Sequence, residues 1–138
     1  MTKQSPSTWL QTLVLAVGLA LLAAVPALGA VALECEQVAQ LDSKDMDAAI
    51  WQALARAVAH HLARPAVQGI VITHGTDTLE ETAYFLNLVI RTSKPIVVVG
   101  SMRPGTALSA DGALNLFNAV SVAASKDAAG KAADAVKK

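Results

Sequence analysis

The sequence predicts an α/β fold built on a parallel sheet, and three observations carry that prediction. Two short, continuous aliphatic runs, Gly69-Ile-Val-Ile-Thr-His74 and Ile96-Val-Val-Val99, read as strands buried on both faces. Helical periodicity precedes, separates and follows them. Turn residues mark the junctions: Pro95 introduces the second run and Gly100 ends it. Strand, helix, strand, helix with continuous aliphatic strands is the parallel pattern, and the connection between the strands is expected to be right-handed.

No charge lies between Lys3 and Glu34. Within that stretch an aliphatic run from Leu13 to Val25 is ended by Pro26. It fits a secretory signal, with Ala27-Leu28-Gly29 as small residues for cleavage. An uncleaved membrane anchor over Leu13–Leu33 and a buried helix are the competing readings, and Pro26 and Gly29 weaken the anchor. Residues 1–30 are therefore read as a signal peptide or apolar leader. Residues 31–125 form the α/β domain and 126–138 a low-complexity tail. Any membrane contact runs through the leader. The expected compartment is the periplasm or the exterior, with inner-membrane anchoring as the alternative.

Met46, Ile50, Leu54, Val58 and Leu62 recur every four residues, so residues 46–63 read as an amphipathic helix, with Asp45 as a candidate cap. Residues 78–91 read as a second helix with Leu79, Ala83, Leu86 and Ile90 on one face. Thr78 and Glu81 have capping-box spacing at its start. A third helix is expected from Ser109 to Ala124, with Ser109 and Asp111 as caps. The tail from Lys126 has no large apolar residue and reads as a frayed helix or disorder. About 95 residues after the leader supply only a thin core, so the central strands are expected to lack neighbours and the chain to aggregate or stay partly molten after leader removal.

The chain has 138 residues, is 54% hydrophobic and 16% charged, and has a formal net charge of 0. That balance excludes the basic excess of a nucleic-acid binder. Cys35 is the sole cysteine, so no disulfide forms within the chain, and Glu34 and Glu36 beside it disfavour a thiolate. His60 and His61 are adjacent and diverge on a helix. They make a poor ligand pair and read as surface or packing residues.

Ligands of open parallel sheets bind beyond the carboxyl ends of the strands. Two loops fall there: Thr73-His-Gly-Thr-Asp-Thr78 and Gly100-Ser-Met-Arg-Pro-Gly-Thr106. Thr76 offers a hydroxyl and Asp77 a carboxylate at a helix entrance, where anions are favoured. The carboxylate suits an α-ammonium group, and the hydroxyl suits nucleophilic attack or proton transfer once a base activates it. Helix capping is the plainer reading of the same two residues. Arg103 is a candidate for a substrate carboxylate, or else pairs locally or faces solvent. Asn115 and Asn118, after Asp111-Gly112, are candidates for holding loops together through their amides.

Ile70-Val-Ile-Thr-His-Gly-Thr-Asp-Thr-Leu-Glu-Glu-Thr-Ala-Tyr-Phe-Leu86 closely resembles the second active-site signature of bacterial L-asparaginases. The resemblance continues through Lys94–Pro104 and Ser109–Val120. Upstream it takes in Glu36-Gln-Val and Asp42-Ser-Lys-Asp-Met46, so it covers about residues 36–130. It is strongest to the periplasmic glutaminase-asparaginase type. It implies part of a flavodoxin-like N-terminal domain, with the C-terminal domain absent from this chain. It implies hydrolysis of the side-chain amide of L-asparagine, and of L-glutamine as a second substrate, through an acyl-enzyme on a threonine. No metal or organic cofactor is implied, and the family suggests a homo-tetramer. By the same resemblance Thr76 and Asp77 are catalytic, and Asp77 also grips the substrate's amino group. Ser43 binds its α-carboxylate. Lys44 stands where the family has Gln or Glu.

The first signature, a strand followed by Thr-Gly-Gly-Thr that holds the primary nucleophile, has no match. The chain contains no Gly-Gly pair, and its single tyrosine, Tyr84, belongs to the helix after the second signature. The downstream lysine that partners the second threonine is unmatched as well. Removing a nucleophile that acts as part of a unit costs on the order of 10⁶ in rate. The sequence therefore predicts an amidohydrolase chain that is catalytically impaired. Its rival is a non-catalytic remnant with weak amino-acid binding or oligomerisation only.

Overall fold

The computed structural model describes residues 10–12, 14–15, 32–128 and 132–136. The proposed cleavage site and most of the apolar leader lie outside the described residues. In chain order the elements are β1 (Leu10–Thr12), β2 (Val14–Leu15), β3 (Ala32–Glu34), α1 (Ala48–Leu62), β4 (Ile70–Thr73), α2 (Leu79–Val89), β5 (Ile96–Val99), α3 (Gly112–Ala124) and β6 (Ala132–Val136). Single 3₁₀ turns cover Ser43–Asp45 and Lys126–Ala128.

All strand pairs are parallel. β4 and β5 run in register from Ile70 opposite Ile96 to Thr73 opposite Val99. β2 pairs with the far side of β4, Val14 opposite Ile72, and β6 pairs with the far side of β5. β1, one residue before β2, pairs with β3. Taking β1 and β2 as one strand, the order is β3, β1/β2, β4, β5, β6. That is the 2-1-3-4-5 order of flavodoxin-like sheets.

The expectation that the central strands lack neighbours is therefore corrected. Their neighbours come from segments read as leader and as tail. Ala132–Val136 is extended, not helical or disordered, although its sequence lacks β-branched residues before Val136. Its strand is defined by backbone pairing to β5, for which side-chain propensity is a weak guide.

β4 and β5 are buried on both faces, as their continuous aliphatic sequences require. Ile70, Ile72, Ile96 and Val98 point to one side and pack with Leu54 and Val58 of α1 and Leu79, Ala83 and Leu86 of α2. Val71, Val97 and Val99 point to the other side and meet Leu116, Ala119, Val120 and Ala123 of α3. Each fully buried side chain of this size contributes about 1.5–3 kcal/mol by leaving water. Gly69 admits α3 close to the sheet, since a Cβ there would lie 2.8 Å from the Ala123 carbonyl oxygen.

The helix faces agree with the sequence, while several ends differ. α1 is capped by Asp47, whose carboxylate accepts from the Ile50 N–H at 2.9 Å. Asp45 lies inside the preceding 3₁₀ turn. Thr78 occupies the cap position of α2 but makes no side-chain cap bond, so the capping box does not form. Its hydroxyl donates to the Ser43 carbonyl oxygen instead, at 2.7 Å. Ser109 and Asp111 do not cap α3 either, because the Asp111 carboxylate turns to the loop after β5. His61 is buried among packing residues, and its ring pairs with Glu36. Among the described residues, no helix is long and apolar enough to cross a membrane.

Candidate functional site

β4 and β5 end side by side, because His74 continues the ladder by donating its N–H to the Val99 carbonyl oxygen at 2.8 Å. The two loops that follow therefore leave the same edge of the sheet. Between them lies a cavity of about 240 Å³ lined by Thr73, His74, Gly75, Val99, Gly100 and Ser101, with Leu116 of α3 at its base. The first loop sits beside the place where the strand order reverses, between β2 and β4. That is the position at which such sheets take ligands.

The turn Gly75-Thr76-Asp77 is clasped by a segment more than thirty residues upstream. Ser43, buried in its 3₁₀ turn, accepts the Asp77 backbone N–H through its hydroxyl at 3.2 Å. The Ser43 hydroxyl also faces the Asp77 carboxylate, at 3.5 Å, which is at the limit of a hydrogen bond. With Thr78 bound to the Ser43 carbonyl, three contacts join the segments. The approach is close enough to demand glycine at 75. A Cβ there would stand 2.4 Å from the Ser43 Oγ and 2.7 Å from its Cβ. Gly100 fills the same role for the second loop, where a Cβ would meet the His74 carbonyl oxygen, the Leu79 Cδ1 and the Thr76 Cγ2, each at 3.0 Å.

Of the four residues singled out from sequence, Thr76, Asp77 and Ser43 lie together, and Lys44 lies beside them with its ammonium turned aside. Its Nζ pairs with the Asp42 Oδ2 at 2.7 Å on the exposed surface. The hydrogen bond from Lys44 lowers the Asp42 carboxyl below its ordinary value. The same bond raises the Lys44 ammonium, and the charge of Asp77 adds to it. Asp77 itself is exposed and Thr76 half-buried. Among the described residues none hydrogen-bonds the Thr76 hydroxyl.

Arg103 does not reach this turn. Its guanidinium donates to the Ser109 carbonyl oxygen at 3.1 Å, and its backbone N–H donates to Asp111. Asp111 organises the second loop, accepting from the Ser101 hydroxyl at 2.8 Å and the Met102 N–H at 3.1 Å. These donors, the Met102 N–H first and the Ser101 hydroxyl next, hold its carboxyl down at about 2. Asn115 ties α3 to the strand end by donating to the Gly100 carbonyl oxygen at 3.1 Å, as its sequence position suggested.

Sequence reasoning missed one set of residues. His74 Nδ1 lies 2.7 Å from the Gly75 carbonyl oxygen and Nε2 lies 2.9 Å from the Thr82 Oγ1. Trp51 of α1 donates its indole N–H to the same Thr82 oxygen at 2.8 Å. The available signal was Thr82 on the buried face of its helix, a polar residue where the pattern calls for an apolar one.

Cys35 packs against the α3 side of the sheet. Burial, and next the Glu34 charge, push its thiol up. Among the described residues no group of three or more His, Cys, Asp or Glu side chains is placed to hold a metal ion.

The asparaginase N-terminal domain family matches residues 3–135. The glutaminase-asparaginase of Pseudomonas fluorescens biotype A is 62% identical over 112 residues, which are 80% of this chain and 31% of that protein. A probable periplasmic L-asparaginase of Haemophilus influenzae is 49% identical over 112 residues, 80% of this chain and 32% of that protein. The crystal structure of a probable cytoplasmic L-asparaginase from Campylobacter jejuni superposes with a TM-score of 0.83 at 44% identity. It covers 88% of this chain and 42% of that one. The chain thus spans about a third of the length of the curated relatives it matches.

Proposed function

The chain belongs to the asparaginase N-terminal family, and on that premise we propose that its Ser43–Thr76–Asp77 face is the amino-acid-binding half of an amidohydrolase site acting on L-asparagine, and on L-glutamine as a second substrate. One observation carries the reading: Ser43 and Asp77, thirty-four positions apart, are drawn together by the Asp77 N–H bond to the Ser43 hydroxyl. Such a pair matches the two ends of a zwitterion. The exposed Asp77 carboxylate takes the α-ammonium as a charge-assisted partner. The Ser43 hydroxyl, held at only 3.5 Å from Asp77, is positioned to turn its proton to the α-carboxylate. Thr76, next to Asp77 on the same turn, is the group that meets the side-chain amide. Lys44 adds a positive charge at the rim and exchanges its Asp42 contact for the substrate carboxylate.

Hydrolysis needs an activated hydroxyl opposite this turn. The sequence carries no Ser, Thr or Tyr between Thr12 and Ser43, so that stretch supplies none. We therefore read this chain as binding the amino acid weakly and turning it over very slowly, with tetramer formation belonging to the same proposal. Calorimetry with L-aspartate is expected to give millimolar affinity, abolished by Asp77→Ala. Ammonia release from L-asparagine is expected to stay at the background of a Thr76→Ala control. Turnover at ordinary enzymatic speed would overturn the half-site reading, and no heat from L-aspartate at tens of millimolar would overturn the binding role.

Compartment is the finer part of the proposal. Export through the apolar leader would remove residues that include β1 and β2. Their pairing to β3 and β4, and a family match that starts at residue 3, favour keeping them. The intact mass of the protein recovered from each cell fraction separates the two fates.

A further inference from the structure

We propose that Trp51, Thr82 and His74 form a one-directional hydrogen-bond relay that orients the Gly75–Thr76 peptide, making His74 and Thr82 positioning residues for the Thr76–Asp77 turn. The inference deepens the site proposed above and rests on that reading for its functional meaning, though not for its geometry.

The direction of each bond follows from what each group is able to do. The indole N–H of Trp51 only donates, so Thr82 Oγ1 accepts from it at 2.8 Å. The hydroxyl has one proton left to place, and the His74 Nε2 lies 2.9 Å away. At the other side of the ring the Gly75 carbonyl oxygen only accepts, so the Nδ1 at 2.7 Å carries the ring proton. A neutral imidazole in its Nδ1–H form satisfies every member. The opposite tautomer sets two acceptors against each other at Gly75. Bonds aligned head to tail in this way polarise and strengthen one another.

The relay ends on the carbonyl of the peptide that enters Thr76. A trans peptide is planar, with its C=O and N–H pointing in opposite directions. Fixing the Gly75 carbonyl therefore fixes where the Thr76 N–H points and how Thr76 and Asp77 leave the strand. The anchor is rigid. Thr82 is fully buried, and Trp51 stacks on Phe85 with ring centroids 5.9 Å apart and planes 24° apart. The Ser43 clasp holds the turn from its far end. Together they fix it from both sides, without either touching the substrate-facing groups of Thr76.

Nitrogen-15 NMR of the full chain tests the relay directly, since the two ring nitrogens of a neutral histidine report its tautomer. The expected result is His74 in the Nδ1–H form and a slowly exchanging Trp51 indole proton. Thr82→Val should speed exchange of the Trp51 indole proton, shift the His74 Nε2, Thr76 and Asp77 resonances, and weaken L-aspartate binding about tenfold, the factor given by one hydrogen bond of ordinary net worth. Thr82→Ser keeps the hydroxyl and should reverse these changes, which separates loss of the bond from loss of packing. An Nε2–H tautomer in the unaltered chain overturns the proposal. So does a folded Thr82→Val chain whose turn amides do not move. Intact signatures without any L-aspartate binding support the relay and overturn the binding reading instead.

Discussion

The turn after β4 is held by Ser43, thirty-four and thirty-five positions from its partners, and through Thr82 by Trp51, thirty-one positions before that threonine, whereas the loop after β5 is held by partners no more than fifteen positions away. The first hold is part-buried and made largely by neutral donors and acceptors from α1, α2 and the Ser43 turn. The second is more exposed and converges on one carboxylate, Asp111, with Arg103 spanning the loop to the Ser109 carbonyl. The contrast shows how one sheet edge makes a fixed wall and an adjustable one. Long-range contacts form only when the whole domain has folded, so the first turn shares the stability of the core. A local network around a half-buried acid opens without unfolding anything else.

The sharpest way to break the distinction is to remove what lies under both loops. Leu79 is fully buried, and its side chain closely approaches Gly100 from below. Leu79→Ala is expected to destabilise the chain by about 2–5 kcal/mol, read as a lower denaturant midpoint. Both loops should lose amide protection together, and protection lost in the second loop alone would deny the shared foundation. Next in size is Gly75→Ala, which forces a methyl into Ser43. It is expected to cost about 1–3 kcal/mol as overpacking and to disturb the first turn while leaving the Met102 amide protected.

Asp111→Asn should act the other way round. Hydrogen exchange should quicken at Met102 and Arg103 and stay unchanged at Asp77. Acid does the same to the native chain. The folded carboxyl sits at about 2, below its ordinary 3.8, so its contribution is complete above the ordinary value and is lost as pH falls through about 2. A loop that stays ordered at pH 1.5 would show that Asp111 does not hold it. The smallest effect belongs to Lys44→Gln. Its ammonium and the Asp42 carboxylate are both exposed, and such pairs add little to stability. The melting temperature should not move measurably, while L-aspartate affinity should fall if Lys44 meets the substrate.

Much of this was legible in the sequence because burial writes a period into it. Leu54 and Val58 on α1, Leu79, Ala83 and Leu86 on α2, and the aliphatic runs of β4 and β5 occupy the faces their spacing predicts. β2 was not legible, because a short aliphatic parallel strand and the apolar core of a leader share one composition, and β1, Leu-Gln-Thr, carries no strand pattern of its own. β6 was not, because Ala-Ala-Asp-Ala-Val gives no pattern and its strand is set by what lies beside it. At the site, the Thr76–Asp77 motif and its Ser43 partner were readable from their resemblance to a known family. Thr78 and Asp111 were misread as local caps, since a hydroxyl or carboxylate near a helix start looks the same whether it bonds to its own helix or to a distant loop. The Trp51–Thr82–His74 chain left only Thr82's polar side chain on a buried helix face as a sign, because three residues separated by eight and thirty-one positions share no period.

The close approach of Gly75 to Ser43 also constrains descent. Neither position is free to drift alone: a larger residue at 75 is tolerated only in a lineage whose residue 43 has withdrawn, and that withdrawal releases the Asp77 N–H. Across related chains the two positions should therefore change as a couple or stand still together, and a lineage that has abandoned one should have abandoned the amino-acid pocket with it.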